Sequence, residues 1–350
     1  MRWPSGTYSY KYDEDMAIFR TKTQWGLLIA FLILMALVPY LVAPDLVTIV
    51  LIMLIWIVAT QGLQLLLGYT GQISVCQSAI MGVGAFTTGI LCSKFAIMSY
   101  WAALPFAGIM AGLVGMLFGW PSFKVKGLYL ALVTIGAQLI IIYAIVHMPD
   151  LTGGVVGIVI PAPRIGPIDF GTTEWYYLGL VMAVLATFIV KNIARTRAGR
   201  AFVAVRDNDI AAEVMGINIF AYKMLSFFIG CFLGGVAGWL FVGYIGFAQV
   251  DHYTLDESVW ILGMVVVGGA GSSLGTIFGV VFIQAIRELA TWGGPIIADA
   301  IPSLGIGFSM ALPLLSLGFA YAVFLIFEPR GLAHRWEIIK RSYRLWPYSR

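Results

Sequence analysis

The side chains with chemical capacity in this chain are mostly amides and hydroxyls set among apolar residues: Gln61, Gln64, Gln72, Ser74, Gln77, Ser78, Thr134, Gln138 and Gln284. Such groups bind solutes or backbone through hydrogen bonds and do not act as nucleophiles without a base. They are densest around Gly68-Tyr69-Thr70-Gly71-Gln72-Ile73-Ser74. Glycine there permits an unwound backbone whose free N–H and C=O groups line a path for a solute. A tight turn between two helices uses the same residues, and both readings stand. Gly71, Gln72, Ser74, Gln77, Ser78, Thr134 and Gln138 are the candidate lining of a translocation pathway.

A second set is charged. Residues 191–223 read KNIARTRAGRAFVAVRDNDIAAEVMGINIFAYK between two apolar runs. Asp207 or Asn208 can cap a helix, Asp209 and Glu213 suit its early turns, and Gly216 can end it. Ala211 and Ala212 give that helix a small-residue face. A short helix of this kind is expected to dock into a groove of a soluble partner; a solvated loop anchored to lipid headgroups is the alternative.

Other motifs carry less. Lys124-Val125-Lys126-Gly127 reads as a turn with positive anchors. The turn at Thr152, Gly153 and Gly154 opens a Gly- and Pro-rich stretch, 148–174, expected to be a flexible outer loop that receives a substrate or docking protein, or simply connects. Gly268-Gly269-Ala270-Gly271-Ser272-Ser273-Leu274-Gly275 has no following Lys in a phosphate-cradling pattern, so it reads as a tight turn or broken helix. Cys76, Cys92 and Cys231 show no metal spacing, and His147, His252 and His334 are scattered. No nucleophile–base pair stands out, so no catalytic residue and no metal site is assigned.

Positioning these residues falls to membrane helices. Of 350 residues, 60% are hydrophobic and 11% charged, against about 25% charged in soluble domains. A span needs about 20 apolar residues, and ten candidate segments are present: 25–43, 46–67, 72–92, 101–119, 128–147, 175–190, 225–246, 257–269, 272–290 and 310–327. The run 257–269 is short and 72–92 is polar enough to be broken or re-entrant, so eight to ten spans are expected in an all-α polytopic protein. Pro44 follows the only small-residue cleavage point, so residues 25–43 are expected to be a retained helix rather than a cleaved signal.

Placing the N-terminus in the cytoplasm puts four Lys or Arg in 1–24, two in 120–127, six in 191–224 and six in 328–350 on the inner side. That is eighteen of twenty-one, with Lys94, Arg164 and Arg287 outside. The net charge of +4 is therefore read as topology rather than as affinity for nucleic acid. Carboxylates such as Asp256 and Glu257 fall at the outer interface, and no clear intramembrane acid is found. Uphill transport would then draw on a partner. The chain divides into a cytoplasmic segment 1–24, a membrane permease domain 25–327 containing the loop 191–224, and a cytoplasmic tail 328–350. A stand-alone channel or ion-coupled carrier is the alternative class, and a membrane-embedded enzyme a third.

Several motifs in order resemble the LivM-type permeases of branched-chain amino acid ABC importers. They are GYTGQISVCQSAIMGVGAF (68–86), KGLYLALVTIGAQLI (126–140), LTGGVVGI (151–158), RAGRAFVAVRDNDIAAEVMGIN (197–218), GGAGSSLGTIFGVVF (268–282) and EPRGL (328–332). The resemblance implies a coupling helix that docks on an ATPase, carried here by Arg200, Arg206, Asp209, Ala211, Ala212, Glu213 and Gly216. Ile210 stands where the general importer pattern has a glutamate, and the later Ile-x-Leu-Pro of that pattern is absent. The resemblance further implies a LivH-type permease as partner, two ABC ATPase subunits that bind ATP and Mg, and a periplasmic or lipid-anchored binding protein. It leaves this chain with no cofactor and no ATPase site, in the bacterial or archaeal inner membrane. Branched-chain or related amino acids are the expected cargo, with urea, short amides or other small acids as the alternative.

Overall fold

The computed structural model describes residues 22–345, apart from 96–98, 162, 166–167, 301–304 and 329. Most of the segment 1–24 and the last five residues of the tail therefore lie outside the described residues. The rest is a helical array: α1 (Lys22–Leu41), α2 (Pro44–Gln64), α3 (Gln77–Gly89), α4 (Tyr100–Gly119), α5 (Leu128–Val146), α6 (Thr172–Ile193), α7 (Arg197–Asp207), α8 (Asp209–Val214), α9 (Ile219–Ile245), α10 (Leu255–Gly268), α11 (Ser273–Ala300), α12 (Gly305–Phe327) and α13 (Leu332–Leu345). Two-residue strands, Ile158–Val159 against Phe247–Ala248 and Arg164–Ile165 against Ile168–Asp169, are the described β structure.

Six stretches are long and apolar enough to cross a membrane: 44–69, 100–122, 128–146, 172–193, 219–245 and 273–297. Shorter apolar helices cover 25–41 and 311–324. α2 and α9 form the centre, with 67% and 72% of their apolar windows buried against 28–39% in the other four. A helix apolar all round belongs inside such a bundle. α9 packs on α4, α3 and α2, and α2 also packs on α6. Small residues permit the close approaches, because lipid supplies no hydrophobic drive between helices. A Cβ on Gly84 would collide with the Gly235 backbone, and one on Gly238 with the Met81 carbonyl.

The outer stretch that opens at Thr152 is stitched down: Thr152 Oγ1 donates to the carbonyls of Ile145 (2.5 Å) and Met148 (2.8 Å), and Ile158 pairs with Ala248. The charges at the outer side of two membrane segments are paired with each other. α11 runs ten residues beyond the expected end at 290, and Arg287 within it forms a two-pronged ion pair with Glu257 of α10 at 2.6 and 3.0 Å. The guanidinium lies 5.1 Å from the Trp260 ring centre. A charge on a membrane helix is tolerated when paired.

Candidate functional site

The helix leaving the centre of the bundle breaks where the glycines predict. α2 runs into a π-turn over Leu65–Tyr69, Gly71 takes φ +68°, and residues 71–76 are not helical before α3 begins at Gln77. Gln72, Ser74, Gln77 and Ser78 are all buried. An unpaired backbone amide away from water costs about 1–3 kcal/mol, so the break needs partners, and side chains of other helices supply them.

Thr134 and Gln138 stand one turn apart on α5 and face the start of α3. Val75 N–H donates to Thr134 Oγ1 and Ala79 N–H to Gln138 Oε1, each at 3.0 Å. Ser258 of α10 adds a third cap: its Oγ accepts from Ser78 N–H at 3.0 Å and donates to Gln138 Oε1 at 3.0 Å. The other end of the Gln138 amide donates to the Tyr253 carbonyl at 2.8 Å. Gln77 Nε2 donates to the Ala59 carbonyl of α2 at 3.1 Å. The polar set is thus brought together around the break and fastens α3 to α2, α5 and α10. Gln72 Oε1, Gln77 Oε1 and Ser78 Oγ stay buried without a partner. Ser258 was not anticipated, and nothing in its local spacing marks it.

The charged loop folds as two helices. Thr196 caps α7, accepting from Gly199 N–H at 3.3 Å, and Asn208 caps α8, accepting from Ala211 N–H at 3.1 Å. Gly216, at φ +81°, ends α8. α7 is pinned by Phe202, which is fully buried. The seven residues assigned to docking divide between two directions. Ala212 is buried against the body, while Arg206 Nη1 donates to the Gly68 carbonyl at 2.8 Å. Asp209 pairs with Lys126, whose ammonium hydrogen bond holds the Asp209 carboxyl below its ordinary value. Ala211, Glu213 and Gly216 face outward, and Arg200 is exposed on α7. With them stand Ile210, Val214 and Met215, 71%, 82% and 81% exposed. Sequence reasoning passed over these three, although apolar residues at i, i+4 and i+5 in a polar loop were a readable signal. Large apolar side chains bared outside the bundle mark an interaction surface.

The broken α2–α3 junction and the loop therefore meet. Gly71 sits against the Arg206 side chain, and Gly68, Lys126, Arg206 and Gly271 converge at one end of the bundle. A polytopic helical body of this kind, with a polar break at its centre joined to a protruding helix pair, is a membrane permease. The chain belongs to the family described as branched-chain amino acid transport system / permease component, which matches residues 46–327.

The chain is 30% identical over 287 residues to the high-affinity branched-chain amino acid transport system permease protein LivM of Escherichia coli (strain K12), covering 75% of this chain and 67% of that protein. It is 23% identical to a probable branched-chain amino acid transport permease protein LivM of Methanocaldococcus jannaschii, over 73% of this chain and 78% of the relative. The nucleoside ABC transporter permease protein NupC of Lactococcus lactis subsp. cremoris is 23% identical over 65% of this chain and 75% of its own length. No solved structure matches the chain.

Proposed function

We propose that this permease forms half of the translocation pathway of an ABC importer for branched-chain amino acids, paired with a LivH-type permease. Two ABC ATPase subunits, which would hold the ATP and Mg, dock on α8, and a binding protein delivers the cargo to the opposite face. The observation that carries the reading is the double character of the α7–α8 pair. Its outer side bares Ile210, Val214 and Met215, and its inner side grips the broken helix through Arg206 and Gly68. A partner that moves α8 therefore moves the backbone at the break, which is how energy spent on another chain would open a path through this one. The sequence count supports a cytoplasmic location for the loop and both termini, since that topology puts eighteen of twenty-one Lys and Arg on the inner side.

The test is uptake of labelled leucine into proteoliposomes holding this chain, the paired permease, the ATPases and the binding protein. Uptake that needs both ATP and the binding protein is expected. ATP hydrolysis stimulated by the binding protein without leucine uptake would retain the machine and reject the cargo, and uptake independent of ATP would reject the importer.

A further inference from the structure

The helix α13 is fixed to the bundle at its start and exposed along much of its length. Gly331, at φ +75°, turns the chain onto the α10–α11 junction, where a Cβ on Gly275 would meet the Ala333 Cβ at 2.7 Å. From that root the sequence LAHRWEIIKRSYRL repeats apolar residues at i, i+4 and i+7, as Leu332, Trp336 and Ile339. Leu332 packs on the core, whereas Trp336 and Ile339 are exposed. The Trp336 ring rests on Phe278 of α11, with ring centres 5.8 Å apart. Phe278 belongs to an exposed apolar stripe on that span, Leu274, Phe278 and Val281, at the same spacing. The two stripes form one continuous apolar surface, beginning at the end of the bundle that carries α7 and α8.

The rest of α13 is basic. Its sequence carries Arg335, Lys340, Arg341 and Arg344, with Glu337 as its one carboxylate. Arg335 is taken by Glu328. Lys340 is exposed, follows Ile339 and stands one turn past Trp336. It meets a second source of positive charge at the end of α6. The charges of Arg195 and Lys340 both act on the Lys191 ammonium, and Lys191 and Arg195 are half-buried. Lys191 belongs to the last turn of α6, a span of 22 residues, so the group lies at the level where lipid headgroups begin. Like charges gathered from two helices repel one another. A phosphodiester among them removes that repulsion and accepts charge-assisted hydrogen bonds.

We propose that α13 lies in the plane of the membrane surface and, with the end of α6, binds the headgroup of an anionic phospholipid: the phosphate on Lys191, Arg195 and Lys340, the acyl chains along Trp336 and Ile339. An apolar stripe bearing Trp, with basic residues beside it, suits a helix at headgroup depth. A soluble partner would have to take that stripe away from lipid, whereas Trp336 is held against the exposed flank of a membrane span. The lipid joins α13 to α6, two helices whose roots are otherwise held by separate contacts.

The experiment uses the full chain with its paired permease in phosphatidylcholine nanodiscs, with Cys92→Ser and a dye on Ser342→Cys. Ser342 is exposed and outside both the stripe and the cation group, and native Cys76 and Cys231 are buried. Phospholipid brominated near the headgroup is added as phosphatidylglycerol or as phosphatidylcholine. The mole fractions that quench the dye equally give the preference between the two. Preference for phosphatidylglycerol is expected, falling about five-fold with each cation removed in Lys340→Gln and Arg195→Gln. Lys340→Arg retains it, and Trp336→Ser weakens quenching by both lipids. Equal quenching by the two lipids with the cations intact would overturn the headgroup site, as would a preference that survives Lys340→Gln and Arg195→Gln together. No quenching by either lipid would take α13 off the membrane and overturn the proposal, and a dye then covered on adding the ATPases would assign the helix to a protein partner instead.

Discussion

Gln138 shows how one side chain holds a membrane helix open. Its oxygen accepts from Ala79 N–H and Ser258 Oγ, and its nitrogen donates to the Tyr253 carbonyl. Leucine fills similar space and offers none of these, so Gln138→Leu leaves three buried groups unpaired, each worth about 1–3 kcal/mol. Gln138→Glu, in its protonated form, keeps an acceptor oxygen and an O–H donor. The expected result is a lower unfolding temperature in detergent for Gln138→Leu than for Gln138→Glu, with uptake lost in the former. Equal stability of the two variants would show that the amide does not cap α3. That Thr134 and Gln138 share a helix face was readable from their spacing of four. What they face was not, because their partners lie 59 and 120 residues away and amide–backbone pairing leaves no periodic trace. Ser258 went unread for the same reason, inside a short apolar helix.

The α7–α8 pair is the element in which sequence and structure agree in outline and differ in orientation. The Asn208 cap and the Gly216 stop were legible because caps are local chemistry. The division of its residues between body and partner was not, since it depends on Lys126 and Gly68 arriving from elsewhere in the chain. Two outcomes follow. Replacing Ile210 and Met215 together by Ser removes the bared apolar side chains without touching a bond to the body. The permease should then fold normally and fail to retain the ATPases on co-purification, and full retention would remove α8 as the docking element. Asp209→Asn acts on the inner side, loosening the loop while leaving its outer face intact, so trypsin should cleave faster at Arg200. The pH dependence has a definite sign. The Asp209 carboxyl is depressed in the folded chain by Lys126, so the tie is fully present above the ordinary value of 3.8 and is lost as pH falls through the depressed one. Cleavage of the unaltered loop, relative to that of an unstructured peptide at the same pH, should therefore stay level between about pH 5 and 8. A steep change in that window would point to a different group.

At the scale of the whole molecule, apolar runs announce the spans well and their lengths poorly. α3 starts only at Gln77, where side chains cap a broken backbone, and α11 continues to Ala300, ten residues past the expected end at 290. The ends of the bundle are nevertheless fixed relative to one another. Residues 68–72, 122–127, 205–209 and 269–272 converge at one end, whereas Ser93, which donates to the Val159 carbonyl, sits at the other with the Ile158–Ala248 pairing. Single cysteines therefore report orientation as a group. Lys94, Lys124 and Arg197 are all exposed, native Cys76 and Cys231 are buried, and Cys92 can be replaced by Ser. In that background an impermeant maleimide applied to intact cells should label Lys94→Cys only. Lys124→Cys and Arg197→Cys should react together once the membrane is opened. The opposite pattern would invert the topology and take the proposed docking surface out of the cytoplasm. Labelling of Lys124→Cys and Arg197→Cys from different sides would contradict the fold itself, because Lys126 and Asp209 pair across the gap between those two segments.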